Sequence, residues 1–407
     1  MFRTTARHAA LAALSGLLAL VSPATAQKTP KDEILLVDAC NAFGHQLYET
    51  LAKDGNPTCS PGSISVALLM LLPGARGETA DEIAKVLQLP EDLRGERLQK
   101  AASRLLAVSA GRRDDGAPSM RIRNDFWVQQ DYPLLPAYTE MLRKRFTAGA
   151  HELDFGDVEA ARATINRHIA EATNDRIREL LEPGTITPLS RVVLTNALWF
   201  KDAWTTQFSQ HATVAQPFTR QDGTQVDVQM MHHTEHFEFA SNDEWSAVVM
   251  PFENSTMQFE AIVPGEGVDL AVAERAMLTG AHRGKLSHER VLVRMPRFRA
   301  TASHNLVDAL KKMGMKLAFE SGADFRGIEP NGDLIVSRVE HKVWVDVDEN
   351  GAEAAAATAV ELQLRGARPG GEPKHFDADK AFVFGLRDRK TGLLWFVGRV
   401  TDPSVKD

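Results

Sequence analysis

The chain has 407 residues, of which 43% are hydrophobic and 25% are charged, an ordinary composition for a globular protein. Its formal net charge of −7 argues against a general nucleic-acid-binding protein, which is normally basic. Two cysteines are too few for a disulfide framework. The length alone is compatible with two domains.

The first predicted element is a secretory signal peptide in residues 1–26. A basic start with Arg3 and Arg7 precedes an apolar run at 11–21, which is too short to span a bilayer. An A-x-A cleavage site ends at Ala26. We therefore expect a secreted or periplasmic protein, and an N-terminal membrane anchor is the alternative.

Helical patterns dominate the first half of the chain. Ser60 and Pro61 form a typical helix start before a mostly apolar helix. Another helix is predicted to begin at Cys40, which would separate that residue from Cys59, so we expect both thiols to be unpaired. The predicted helices cover 42–53, 62–72, 79–87, 93–110, 135–146 and 158–181.

Strand patterns dominate the second half. The segment 191–200 is almost continuously apolar, which is typical of a central strand. The other predicted strands cover 226–231, 247–252, 258–263, 291–298, 339–347, 381–387 and 393–399. Helices followed by mostly antiparallel strands predict an α+β fold. Because no Pro/Gly/Ser-rich linker divides the chain, we expect one domain over 27–407, with its core at about 32–403.

The segment from Ala352 to Leu364 carries two conflicting signals. Its alanine run has high helix propensity, yet its even positions are small or apolar and its odd positions polar or small. Period two is typical of a strand with one buried face. One explanation is that the segment occupies an exposed state and a strand state in turn. The Pro- and Gly-rich stretch 365–375 then predicts a loop.

Four segments, in this order, resemble the serpin family over nearly the whole mature chain. They are CSPGSISVALLMLLPGARGETADEI from Cys59, LTNALWFKDAWTTQF from Leu194, EHKVWVDVDENGAEAAAATA from Glu340 and FDADKAFVFGLRDRKTGLLWFVGRVTDP from Phe376. The last segment departs from the family pattern at Lys380 and Ala381, where members usually have His and Pro. Both departures fall on the return of the loop.

This resemblance implies three β-sheets surrounded by eight or nine helices, with an exposed reactive-centre loop at about 351–375. It also implies a metastable native state. In inhibitory serpins a protease is acylated by the loop, the loop enters the main sheet as an extra strand, and the attached protease is dragged along and distorted. Ala352 and the alanines that follow suit such insertion, because small side chains meet little resistance and lose little rotamer entropy.

The resemblance also assigns roles to individual residues. The hinge comprises Glu349, Gly351, Ala352, Glu353, Ala354, Ala355, Ala356, Ala357 and Thr358. The group that hydrogen-bonds beneath the main sheet where it opens comprises Ser60, Ser63, Asn196 and His341. The site where the loop first enters the sheet comprises Trp204, Arg297 and Glu349, with an expected ion pair between the last two.

Counting from Glu349 as the family does places the reactive bond at Arg365–Gly366, which suits a trypsin-like serine protease. Leu364 and Arg368 are competing positions for the scissile residue. The predicted function is suicide inhibition of such a protease. We expect the protein to be a monomer that binds neither a membrane nor a nucleic acid. A cysteine protease as target and a non-inhibitory binding or chaperone role are the alternatives. An enzyme is disfavoured, because neither H-E-x-x-H nor G-x-S-x-G occurs.

Three weaker signals remain. Arg94, Arg97, Lys100 and Arg104 share a helical face, which predicts either a solvated surface or a polyanion site; no other cofactor is expected. His232, His233 and His236 lie in a strand-like stretch, so a metal site there is disfavoured. Asn254 begins a glycosylation sequon.

Overall fold

The computed structural model describes residues 30–52, 57–109, 119–352 and 371–405. These residues contain eight α-helices: α1 (Lys31–Leu51), α2 (Pro61–Leu71), α3 (Gly77–Val86), α4 (Gly95–Ser109), α5 (Pro136–Met141), α6 (Val158–Ala172), α7 (Leu270–Thr279) and α8 (Val307–Met313). A wider π-helical turn, Leu142–Phe146, continues α5.

The strands of the described residues fall mostly in the second half, as predicted. They are β1 (Thr58–Cys59), β2 (Met120–Gln129), β3 (Gly149–Leu153), β4 (Val192–Phe200), β5 (Asp202–Ala203), β6 (Val214–Thr219), β7 (Gln225–Ser241), β8 (Trp245–Pro251), β9 (Met257–Pro264), β10 (Ser287–Pro296), β11 (Phe298–Asn305), β12 (Val336–Asp348), β13 (Gly351–Ala352), β14 (Lys374–Asp377), β15 (Phe382–Asp388) and β16 (Leu394–Val400).

Hydrogen bonding joins the strands into two networks. The main sheet has seven strands in the order β3-β2-β4-β12-β13-β5, with β11 also paired to β12. The other network has nine strands in the order β1-β16-β15-β9-β8-β7-β10-β14, with β6 paired to β7. The 17-residue strand β7 pairs with β6, β10 and β8 along different parts of its length. β7 thereby connects these strands into one network, whereas the resemblance implies that they belong to separate sheets.

Strand β4 lies at the centre of the main sheet, and each of its residues is buried. Leu194 and Leu198 pack into the large core shared with α1, α2 and the nine-stranded network, whereas Val193 and Trp199 pack on the opposite face against α6. Burial on both faces explains the continuous apolar run. Helix α2 is likewise buried at every position, as its composition predicts.

Several predicted boundaries were wrong. Helix α1 begins at Lys31 rather than at Cys40, and α6 ends at Ala172 rather than at 181. The end of α6 has a backbone cause, since Asn174 and Asp175 adopt φ values of 51° and 60°, which lie outside the right-handed helical region. Helices α7 and α8 and strands β1, β2, β3, β5, β6, β11 and β14 were not predicted.

Both cysteines are buried and unpaired, as predicted. Burial raises the pKa of the Cys40 and Cys59 thiols to about 12, which leaves them protonated and unreactive near neutral pH. No helix within the described residues is long and apolar enough to cross a membrane.

Candidate functional site

The head of the main sheet holds the start of the predicted hinge. The two residues of β13, Gly351 and Ala352, pair with β12 on one side and with β5 on the other, both antiparallel. Strand β5 follows β4 after Lys201 alone. The hinge segment therefore begins as a short strand at the point where β12 and the continuation of β4 separate.

Gly351 is required at this position. Its φ is +151°, and a Cβ there would lie 2.0 Å from the backbone oxygen of Asp202. Any other residue would push β13 away from β5. Ala352 follows with no exposed surface, so its methyl group already occupies the core.

The carboxylate of Glu349 is held at the same head of the sheet. Nε of Arg297 donates to both of its oxygens at 2.8 Å, and Nη2 lies 2.7 Å from Oε1. The Thr213 hydroxyl also donates to Oε1. Burial alone would raise the pKa of Glu349, but the hydrogen bonds from Arg297 and Thr213 outweigh it and the pKa is lowered. The predicted ion pair is thus present, and Thr213 is a partner that the sequence did not indicate.

Trp204 fixes the turn between β12 and β13. Its indole Nε1 donates to the backbone oxygen of Asp348 at 2.8 Å, and its backbone N–H donates to the oxygen of Asn350 at 3.0 Å. The ring stacks on Phe252 with centroids 4.7 Å apart. Trp204 therefore anchors the backbone from which the hinge departs.

Beneath the sheet, the four residues predicted to hydrogen-bond together are in contact. The Ser63 hydroxyl donates to Oδ1 of Asn196 at 2.8 Å, and Nδ2 of Asn196 donates to the backbone oxygen of Ser63 at 3.1 Å. The Ser60 side chain caps α2 by accepting from the Ser63 N–H at 3.3 Å. Asn196 also donates to Oδ1 of Asn124, a fifth member that the sequence did not indicate.

His341 closes this network across the middle of the sheet, where it pairs with Asn196 between β12 and β4. Its Nε2 accepts from the Ser60 backbone N–H at 3.1 Å, so the proton of the neutral ring lies on Nδ1, which donates to Oδ1 of Asn196. Burial, together with nearby His304, lowers the pKa of His341 well below its usual value. The ring thus stays neutral while it links β12, β4 and α2.

Other predicted residues lie outside the described residues. They are Glu353, Ala354, Ala355, Ala356, Ala357 and Thr358 of the hinge, the reactive bond Arg365–Gly366, its competitors Leu364 and Arg368, and the signal peptide.

The four basic residues of α4 and its start already have partners. Arg97 forms an ion pair with Asp32 of α1 at 2.7 Å, Lys100 with Glu96 at 2.9 Å and Arg104 with Glu33 at 3.5 Å. The Arg94 guanidinium donates to the backbone oxygens of Leu89, Pro90 and Leu93. Each of the four side chains thus has a partner within the protein, and the alternative of a polyanion site stays a prediction.

The three clustered histidines all lie on β7. His232 and His236 are four residues apart on a strand, about 13 Å, which is too far for one ion. His233 points to the other face, where its ring lies 5.4 Å from that of Phe208. The sequon residue Asn254 is half-buried, and its amide donates to Oδ1 of Asp202 at 3.1 Å.

Comparison with known proteins matches residues 38–403 to the family described as Serpin (serine protease inhibitor). The chain belongs to the serpin family. An uncharacterized serpin-like protein of Thermococcus kodakarensis is 38% identical over 374 residues, covering 90% of this chain and 86% of the relative. Serpin B8 of Bos taurus is 36% identical, with coverage of 90% and 99%.

Solved structures agree with this assignment of the fold. Human thyroxine-binding globulin, in complex with thyroxine, superposes with a TM-score of 0.82 at 25% identity and covers 92% of this chain and 100% of its own. The α+β serpin fold is therefore shown, and the family contains protease inhibitors as well as a thyroxine-binding member.

Proposed function

We propose that this serpin is inhibitory, that it is secreted or periplasmic after removal of residues 1–26, and that it traps a trypsin-like serine protease acylated at Arg365. The observation that carries this proposal is β13, which places Ala352 between β12 and the extension of β4. The hinge thus starts at the end of the line where β4 and β12 hydrogen-bond to each other, which we call the β4–β12 seam.

An inserted loop would continue β13 along β12 in its present register, which determines the residues that would lie opposite each other. Val347 pairs with Ala352, so an antiparallel strand would place Ala354 opposite Val345 and Ala356 opposite Val343. Trp344 pairs with Trp199 at the top of the seam. Ala355 would therefore be the first residue that has to part it, and a strand running the length of β12 would end at Gln363, opposite Val336.

The alternation of the hinge matches this register. Val339, Val343, Val345 and Val347 of β12 pack in the large core. Residues opposite each other in an antiparallel pair share a face. The even positions of the hinge, which are small or apolar, would thus enter the core, and Thr358 would meet the polar network at His341. No even position from 352 to 364 carries a charge or a proline.

Insertion would also improve the backbone pairing. Strands β4 and β12 are parallel, and a strand antiparallel to both would replace one parallel pair with two antiparallel pairs, which are slightly more stable per residue. Burying Val360 and Leu362 adds about 1.5–3 kcal/mol each. The 12 residues from Ala352 to Gln363 span about 40 Å, enough to carry an attached protease along the sheet.

The decisive experiment is incubation with trypsin at a near-equimolar ratio, followed by a denaturing gel and mass analysis of the released C-terminal peptide. We expect a detergent-resistant complex and a peptide that begins at Gly366. Ala352→Arg should abolish the complex, because a charged side chain cannot enter the core position of β13. Arg365→Ala should also abolish it, whereas the matched control Arg368→Ala should not.

A complex whose peptide begins elsewhere would keep the trapping mechanism and move the reactive bond. Clean cleavage with fully active trypsin would reject trypsin as a target, and the melting temperature of the cleaved chain then separates the alternatives. A large rise would indicate an inserting loop aimed at another protease, such as a cysteine protease. An unchanged melting temperature would indicate a non-inhibitory binding protein.

A further inference from the structure

A polar cleft of about 480 Å³ lies beside α6, on the face of the main sheet opposite the His341 network. Its lining includes Trp127 of β2, His151 of β3, and His168 and Glu171 of α6. Asp125 of β2 has no exposed side-chain surface and lies next to this lining, 2.9 Å from His151. Neither the hinge nor the network uses these groups.

Three potential metal ligands converge in this cleft. Nε2 of His151 lies 2.9 Å from Oδ1 of Asp125, and Nε2 of His168 lies 3.2 Å from Oδ2. The donor atoms of the three residues all lie within 4.8 Å of one another. The two imidazoles are about 30% exposed, at 31% and 28%, so the cleft is open to an ion and to water.

The absence of a side chain at Gly149 makes this convergence possible. Asp125 pairs with Gly149 between β2 and β3. A Cβ on Gly149 would lie 2.2 Å from Nε2 of His151 and 3.0 Å from Oδ1 of Asp125. The ring of His151 occupies that space and stacks on Trp127 with centroids 4.4 Å apart. The ring is therefore held over the carboxylate by the backbone and by its aromatic neighbour.

Arg123 hydrogen-bonds to the same group of side chains. The Arg123 guanidinium donates to Nε2 of His168 at 2.7 and 3.0 Å, which requires a lone pair on that nitrogen. The same nitrogen lies 3.2 Å from Oδ2 of Asp125, which itself accepts from Nε of Arg123. The lone pairs of His168 and Asp125 that accept from Arg123 are those that a cation between the carboxylate and the two imidazoles would use.

We propose that Asp125, His151 and His168 form a Zn²⁺ site. Two neutral imidazoles and one carboxylate are typical zinc ligands, and a water from the cleft would complete a tetrahedron. Ligand atoms about 2.0–2.1 Å from zinc lie about 3.3 Å apart in a tetrahedron, close to the 2.9 and 3.2 Å seen here.

Arg123 is the competitor for this site. Its Nε lies 2.7 Å from Oδ2 of Asp125, and its side chain is 28% exposed. Zinc binding requires this guanidinium to move outwards, because a second cation beside the metal is repelled. Removing the charge of Arg123 should therefore tighten zinc binding, an effect that a purely structural ion-pair cluster would not produce.

The test titrates the untagged full chain with ZnCl₂ in competition with a chromogenic zinc chelator. We expect one zinc ion per chain. His151→Gln and His168→Gln should each weaken binding at least about tenfold, and Asp125→Asn should do the same. Arg123→Met should tighten binding severalfold. The matched control His236→Gln removes an exposed imidazole from β7 and should leave binding unchanged.

Each other outcome would overturn the proposal. Absence of bound zinc at micromolar concentration in both the natural chain and Arg123→Met would reject the site, even if a ligand variant failed to fold. An equal loss in His236→Gln would assign binding to scattered surface histidines. The readout is zinc affinity, so the result is independent of whether the chain inhibits a protease.

Discussion

At the residue scale, the pKa values of two neighbouring side chains on β12, Glu340 and His341, are both shifted in favour of the neutral form. Burial raises the pKa of Glu340 to about 7, although Arg338 and a hydrogen bond from Asn305 oppose the rise. Next to it, burial keeps His341 neutral. The centre of β12 thus contains a carboxyl group that stays protonated in the folded chain up to about pH 7.

We predict that Glu340→Gln stabilises the folded chain at pH 8 but not at pH 4. Between about pH 4.5 and 7 the folded state keeps a proton that unfolded Glu340 has released, so the free energy of unfolding falls as the pH rises through this window. The full effect is on the order of 1–3 kcal/mol. Urea unfolding midpoints of both proteins at a series of pH values would measure it.

The exposed Glu238→Gln provides the control, since it removes a carboxyl group from another strand. A difference between Glu340→Gln and the natural chain that did not change from pH 4 to pH 8 would contradict the raised pKa.

At the element scale, the register of β12 and β13 predicts a parity rule for the hinge. Ala356 would lie opposite Val343, whose side chain packs in the core, and Ala357 opposite Lys342, whose Nζ donates to the backbone oxygen of Glu179 on the other face. Ala356→Glu should therefore abolish inhibition, because insertion would bury an unpaired carboxylate. Ala357→Glu, its neighbour and matched control, should retain inhibition beside the lysine.

The stoichiometry of protease inhibition measures this difference directly. Equal loss in both variants would mean that side-chain bulk or charge anywhere in the hinge prevents insertion. Loss in Ala357→Glu alone would place the inserted strand one residue out of the proposed register, since a shift of one residue exchanges the two faces.

The secondary-structure elements differ in how far the sequence could predict them. β4 was recognisable because burial on both faces leaves an apolar run, and Ser60 and Pro61 indicated a helix start that the structure confirms. β2 was not recognisable, because its alternation of apolar and charged residues stops after Arg123 and its central residues are buried on both faces. Asn124, which accepts from Asn196 in the network beneath the sheet, therefore carried no signal. Thr213, which donates to Glu349, also lay outside the motifs that the sequence indicated.

The zinc ligands illustrate a second limit. Asp125, His151 and His168 come from two strands and a helix, and they are separated by 26 and 17 residues, so no local spacing distinguishes them. The MHHTEHFEF stretch is rich in histidines, but on a strand their side chains point to two opposite faces. Only the pairing of β2 with β3 and the packing of α6 bring the separated ligands together.

At the scale of the whole molecule, α6 and the segment after it cross the β4–β12 seam. Ile177 and Leu181 of that segment belong to the cluster that contains Trp199 of β4 and Trp344 of β12. The Arg176 guanidinium lies 5.4 Å from the centre of the Trp344 ring. Lys342 of β12 donates to the backbone oxygen of Glu179 at 2.7 Å. Opening the seam therefore has to break contacts on this face as well as the His341 network on the other.

We predict that the double variant Arg176→Met, Lys342→Met converts faster to a loop-inserted form on warming. The two contacts hold β12 to a segment that also packs on β4, and losing them removes about 1–2 kcal/mol from the native state but little from an opened state. The rate should rise about 5- to 30-fold. Loss of inhibitory activity with time, together with the appearance of a urea-resistant band on a native gel, would measure it.

Arg162→Met is the matched control for this pair. Arg162 binds Glu159, Glu179 and the backbone oxygen of Leu181, all on α6 or the segment after it, so it holds that segment together without reaching β12. An equal acceleration in the control would show that general loosening of α6, rather than release of β12, sets the rate. An unchanged rate in the double variant would mean that the seam is held shut from the opposite face alone, where His341 and Asn196 pair across it.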